Sequence, residues 1–225
     1  MSRILAVKVG PLAAASATNI ALSQSPGAAG NLTLNGSLVS GGVATLDTPR
    51  RVIVTSGGND TGITFTAYGT DFAGYPLLAA VAGASGGAAD FGVSFKTITR
   101  IAISAAAAST VTVGTNTVAD SVPLNLDEFG FPVVSLQVNV SGTVNYTVNS
   151  TIDDFTNPNW IQGTGGTASA FSNATWVNSS DSAVVSAMAS KQSNYSYVPK
   201  WVRVTLNSGI GSISLQVIQA ASPSR

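Results

Sequence analysis

The sequence predicts an all-β protein of two antiparallel β-sandwich-like domains, residues 48–124 and 125–225, preceded by an N-terminal strand and extended arm over 1–47. Three observations predict it. Apolar residues recur with period two in short runs, as at Ile63, Phe65 and Ala67 or at Val202, Val204 and Leu206, the period of strands with one buried face. Gly-, Ser- and Asn-rich turns interrupt the runs roughly every eight to twelve residues, the rhythm of a sandwich or barrel. The 225 residues are 44% hydrophobic, enough for one large or two small domains with real cores.

The elements follow in chain order. Met1–Gly10 reads as a short strand; Lys8 and Pro11 interrupt the apolar run that a signal peptide needs. Residues 10–46 carry no charge and no aromatic ring. Two short β-compatible runs lie there, Asn31–Leu34 and Val43–Leu46; the rest reads as an extended arm or an edge hairpin. Arg51–Ser56 is a buried strand closed by the turn residues 57–60. Ile63–Ala67 alternates next, the turn Asp71–Gly74 follows, and Pro76–Val81 is a third strand. Residues 82–92 read as a Gly/Ala/Ser loop. Phe95–Ile103 is a longer strand whose apolar phase slips near Thr97–Thr99, the signature of a β-bulge, and Val111–Gly114 closes the domain.

In the second domain, Leu136, Val138 and Val140 alternate with polar residues, Ser141-Gly142-Thr143 turns, and Val144, Tyr146 and Val148 return. This predicts a hairpin. A second hairpin is predicted from Trp201–Leu206 to Ile213–Val217 across the turn 207–211. Between them lies a loop-rich insert over 151–182, and Ser182–Ser190 is the stretch with most helical character.

Histidine and cysteine are both absent, which removes the commonest acid–base, nucleophilic and transition-metal side chains. Only 9% of residues are charged, and ten basic residues balance ten acidic ones. No basic stripe exists to follow a phosphate backbone, so nucleic acid is not an expected partner. No apolar run approaches the ~18 residues of a membrane helix. A neutral, charge-poor surface is weakly protected against self-association. The Asn-X-Ser/Thr triplets at Asn31, Asn59, Asn149 and Asn178 follow from composition.

Asp127-Glu128 and Asp153-Asp154 are the acidic pairs. Glycoside cleavage needs carboxyls on opposite sides of one sugar, and adjacent strand residues point apart. A hard-oxygen Ca²⁺ site at Asp153 and Asp154 is the competing reading; turn residues that cap backbone amides are the preferred one. The pairs Gly57-Gly58, Gly86-Gly87 and Gly165-Gly166 lack the Lys-Ser/Thr ending of a phosphate loop. Ser–Lys and Tyr–Lys chemistry is open to this composition, but nothing marks a pair. No residue is assigned a catalytic, cofactor-binding or metal role, and the chain is read as no enzyme. Trp160, Trp176, Tyr195, Tyr197 and Trp201 are the candidate contact residues, either a sugar-stacking platform or an assembly hot spot. Trp201 points away from its strand's apolar face, toward a neighbouring subunit or the 151–182 loop.

The run Arg50–Gly74, then Phe95–Ile101 with Val111–Gly114, resembles a pattern in structural proteins of tailed-bacteriophage particles. So do the strand Thr143–Val148, the Asp153-Asp154 turn, the Trp-bearing loop and the segments Trp201–Thr205 and Ser214–Gln219. The resemblance covers about residues 48–219 and leaves out 10–46. It implies a non-enzymatic virion component, a capsid decoration or a tail or neck accessory protein, whose partners are other virion proteins and its own copies. The rival expectation is a β-sandwich adhesin that binds host surface glycan through Trp160, Trp176 or the Tyr195–Tyr197 pair.

Overall fold

The structure is a computed structural model that describes residues 3–127, 133–154 and 174–219. The chain runs through β1 (Arg3–Val9), β2 (Ser16–Gln24), β3 (Gly30–Asn31), β4 (Val39–Ser40), β5 (Val43–Ser56), β6 (Thr64–Thr70), β7 (Pro76–Ala82) and β8 (Ala88–Ile103). It continues through β9 (Val111–Asp120), β10 (Leu124–Asn125), β11 (Val134–Ser141), β12 (Val144–Thr151), β13 (Val177–Asn178), β14 (Lys191–Tyr195), β15 (Trp201–Gly209) and β16 (Ser212–Gln219). The fold is all-β and sandwich-like, built from antiparallel strand pairings. Among the described residues no helix is long and apolar enough to cross a membrane.

Two compact units form, but not with the expected boundaries. Residues 3–13 join the described residues of 117–154 and 174–219, whereas Ala14–Asn116 belong to the other unit. The expected arm is therefore divided. β1 pairs with β16 along its whole length, from Arg3 opposite Gln219 to Val9 opposite Ile213. β2 lies along β9 with an irregular register, and its Ile20 and Ala21 are buried, together with Leu32, in the core of the unit that holds Ala14–Asn116. Those apolar side chains, spaced through a charge-free segment, gain more by burial than a free arm would.

In the unit that holds Ala14–Asn116, the strand order is β9-β5-β8-β6-β7, with β2, β3 and β4 attached to β9, β8 and β5. Its core gathers Leu46, Val52, Val54, Phe65, Phe91, Phe95, Ile98, Ile101 and Val113. The runs 43–46 and 51–56 are one strand, β5, interrupted opposite β8 between Thr45 and Arg50. Pro49 lies in that interruption, where it removes no donor from the ladder with β8. The fully buried Arg50 and the ammonium of Lys96 hold the displaced backbone: Arg50 pairs with Asp47 at 3.3 Å, and Lys96 donates to the Leu46 carbonyl at 2.7 Å. β8 starts at Ala88, so the expected loop over 82–92 ends early. The expected bulge is present. Tyr68 faces Arg100 and Gly69 faces Ile98, leaving Thr99 as the extra residue. Gly69 is obligatory there, because a Cβ would meet the carbonyl of Thr97.

The other unit has two sheets. One is ordered β1-β16-β11-β14; the other carries β13-β12-β15 and the end of β9. Val134, Leu136, Val138, Ile213, Leu215 and Val217 from the first meet Val144, Tyr146, Val148, Val202, Val204 and Leu206 from the second. Both expected hairpins are corrected by this arrangement. β11 pairs with β16 and β14, while β12 pairs with β15. The turns at 141–143 and 209–211 each carry the chain from one sheet to the other. They pack together: Ile210 and Gly211 both donate to the Thr143 carbonyl, at 3.1 and 3.0 Å. A Cβ on Gly211 would strike the Ser141 carbonyl. The helical expectation for 182–190 is also corrected. A 3-10 turn spans only Ser182–Val184, capped by the Asp181 carboxylate, and Val184 is then buried in the core.

Candidate functional site

The alternation that sends Val202, Val204 and Leu206 into the core puts Trp201, Arg203 and Thr205 on the outer face of β15. The register places Thr151, Asn149 and Thr147 of β12 beside them, and Asp120 of β9 opposite Thr205. This outer layer is polar and mostly buried. The Thr205 hydroxyl donates to an Asp120 carboxylate oxygen at 2.5 Å. The Arg203 guanidinium lies 3.4 Å from the other oxygen. Asn149 donates to the Asn178 side chain at 2.8 Å, and Asn207 donates to Asn145 and Thr147 at 2.7 and 2.9 Å. The network supplies the partners that buried polar groups require.

Trp176 closes this layer, with Arg203 stacked over its ring at 4.1 Å from the centroid. The described end of the 151–182 loop thus meets, through Trp176 and Arg203, the face of β15 that also carries Trp201. Arg203 occupies one face of the Trp176 ring, the kind of face a sugar would stack on. Tyr195 is elsewhere. It lies opposite Val134 and is buried between the sheets, where loss of solvation pushes its phenol above the ordinary range. Tyr197 is 46% exposed and meets Tyr195 edge-on at 5.6 Å. The aromatic candidates therefore do not form one platform: Trp176 and Trp201 lie outside one sheet, and Tyr195 lies beneath it. Trp160 falls outside the described residues.

Asp153 accepts from the Thr175 amide, 22 positions along the chain, at 2.7 Å. At Asp127 the backbone exchanges two bonds with the Gln219 side chain, at 2.9 and 2.6 Å; Glu128 lies outside the described residues. Among the described residues no group of three or more acidic side chains comes together.

A second surface was not singled out from the sequence. The outer face of β1-β16-β11-β14 presents Ile4, Ala6 and Lys8, then Ser214, Gln216 and Ile218, then Ser135, Gln137 and Asn139, then Gln192 and Asn194. Gln216, Gln137 and Gln192 stand side by side across three strands. Gln192 donates to Gln137 at 3.1 Å, and Gln137 donates to Asn139 at 2.7 Å. A groove of ≈ 230 Å³ runs between these side chains and Ile218. Ile4 and Ile218 are paired across β1 and β16 and exposed at 67% and 47%. Lys8 is the single charge that the register puts on this face among the described residues. The signal was present in the sequence as Gln and Asn at the polar positions of each alternating run, but it becomes a surface only once strand partners are known.

Comparison of the chain with family models, with curated proteins and with solved structures returns no match.

Proposed function

We propose that this protein is a non-enzymatic structural component of a tailed-phage virion, a capsid decoration or tail or neck accessory protein that works by self-association and docking on the particle. The observation that carries this reading is the amide-rich outer face of β1-β16-β11-β14, whose one charge is Lys8 among the described residues. A carboxamide is donor and acceptor at once, so a row of glutamines is complementary to another such row. The exposed Ile4–Ile218 pair adds apolar area beside it. Docking this face strips water from few charges, which avoids the largest desolvation cost of association. Small interfaces repeated around a symmetric particle accumulate by avidity.

The test is co-sedimentation with virus particles lacking this protein. The native chain is expected to bind, and Gln137→Lys with Gln216→Lys, which puts like charges into the groove, is expected to weaken binding at least tenfold. A native chain that stays in the supernatant overturns the particle assignment. Glycan binding that persists in the double variant and vanishes in Trp176→Ala moves the assignment to a host-binding module.

A further inference from the structure

We propose that β7 is a pairing edge for a second copy of this chain, joined antiparallel about a two-fold axis at Ala79. This rests on the reading of the chain as a self-associating protein and names the strand that does it. β7 hydrogen-bonds to β6 on one side and has no strand on its other side among the described residues. Its register runs from Thr64 opposite Ala82 to Thr70 opposite Pro76. Two bonds fix which peptide groups are used: Asp71 donates to the Tyr75 carbonyl at 3.0 Å, and Gly83 donates to the Ile63 carbonyl at 2.9 Å. By the antiparallel alternation, Leu77, Ala79 and Val81 then turn their peptide groups toward β6. Pro76, Leu78, Ala80 and Ala82 turn theirs outward.

That free edge is complementary to itself. With Ala79 on the axis, Leu78 faces Ala80 of the copy and Pro76 faces Ala82. Each Leu78–Ala80 pair exchanges two backbone hydrogen bonds, and each Ala82 amide donates to a Pro76 carbonyl. Pro76 lacks an N–H, and in this register it is asked only to accept. No other register with a two-fold axis uses all four outward residues. Proteins usually guard such edges with lysine, inward charges or covering loops. Here residues 72–89 carry no charge at all, so copies meet without repulsion. Leu78 at 38% exposure and Tyr75 at 50% add apolar contact. A two-fold pair of this kind closes on itself and does not run on into a fibre.

The chain has no cysteine, so one introduced thiol reports the register. In an antiparallel pair, residues on the axis in a non-hydrogen-bonded position have Cα atoms about 4.5 Å apart, within disulfide reach. Ala79→Cys is expected to give a covalent dimer under mild oxidation. Ala82→Cys, some six residues or about 20 Å from its own copy in this register, is expected to form no disulfide-linked dimer. Leu78→Lys and Ala80→Pro change only outward-facing groups, and each is expected to weaken the dimer at least tenfold by sedimentation equilibrium. Equal linkage of both cysteine variants, or oligomers unaffected by Leu78→Lys and Ala80→Pro, overturns the edge pairing. Co-sedimentation of the native chain with particles, run in parallel, reports on virion docking separately, so dimers without docking and docking without dimers are distinguished. If Ala79→Cys fails to fold by circular dichroism, the sedimentation of Leu78→Lys decides alone.

Discussion

Asp120 is 5% exposed and holds two partners at once, the Thr205 hydroxyl and the Arg203 guanidinium. A buried charge is tolerable only with such company. Asp120→Ala removes the carboxylate that Thr205 and Arg203 share and is expected to cost about 3 kcal/mol, read from the midpoint of urea unfolding. Asp120→Asn keeps the threonine bond and should lose less. Two tyrosines set a limit at the alkaline end. Burial pushes the phenols of Tyr146 and Tyr195 above their ordinary value. Tyr146 also donates to the Ala189 carbonyl at 3.0 Å. A group whose folded pKa is raised contributes stability that is complete below the unfolded pKa and fades above it. The protein is therefore expected to lose stability as pH rises past about 10, where the unfolded phenols ionise first. Combined Tyr146→Phe and Tyr195→Phe replacement should flatten that decline in denaturation curves measured across the alkaline range.

At the scale of strands, the crowding at the β6–β8 bulge gives a direct test. Gly69→Ala drives a methyl group into the Thr97 carbonyl and is expected to cost roughly 2 kcal/mol. Gly30→Ala, where a Cβ meets nothing within 4 Å, should be close to neutral, with both variants read from thermal melts. The bulge itself was legible, since an extra residue forces the apolar phase to slip at Thr97–Thr99. Strand positions were legible for the same reason: Val202, Val204 and Leu206, or Ile213, Leu215 and Val217, declare a buried face. Partners were not. Asn207–Gly211 has the chemistry of a hairpin turn, and the same residues serve a corner between two sheets. Period two tells which way a side chain points and is silent on which strand lies beside it. The stretch 182–190 failed differently. Its Ala, Ser and Met content favours a helix weakly, and the Asp181 cap with a buried Val184 prevails over that preference.

At the scale of the molecule, the all-β architecture followed from pattern, whereas the division into units did not. A boundary drawn by composition at 47 separated 43–46 from 51–56, which are one strand. It also missed that β1 belongs with the residues after Thr117. Contacts distant in sequence decide both points, and no local signal encodes them. The candidate site shows the same limit. The aromatic residues were visible as types, but Trp176 and Trp201 lie outside a sheet while Tyr195 lies beneath it. The Gln137 face and the β7 edge emerge only when strands are placed side by side.

The pairing of β1 with β16 has a mechanical consequence. Because Arg3 lies opposite Gln219, the polypeptide enters and leaves this pair at the same end. Tension transmitted through the two flanking segments would load its bonds one after another, like a zip, and never all together in shear. Such a joint opens under small pulls and recloses readily. Anchoring that must survive strong forces would therefore have to grip the protein through its faces and edges.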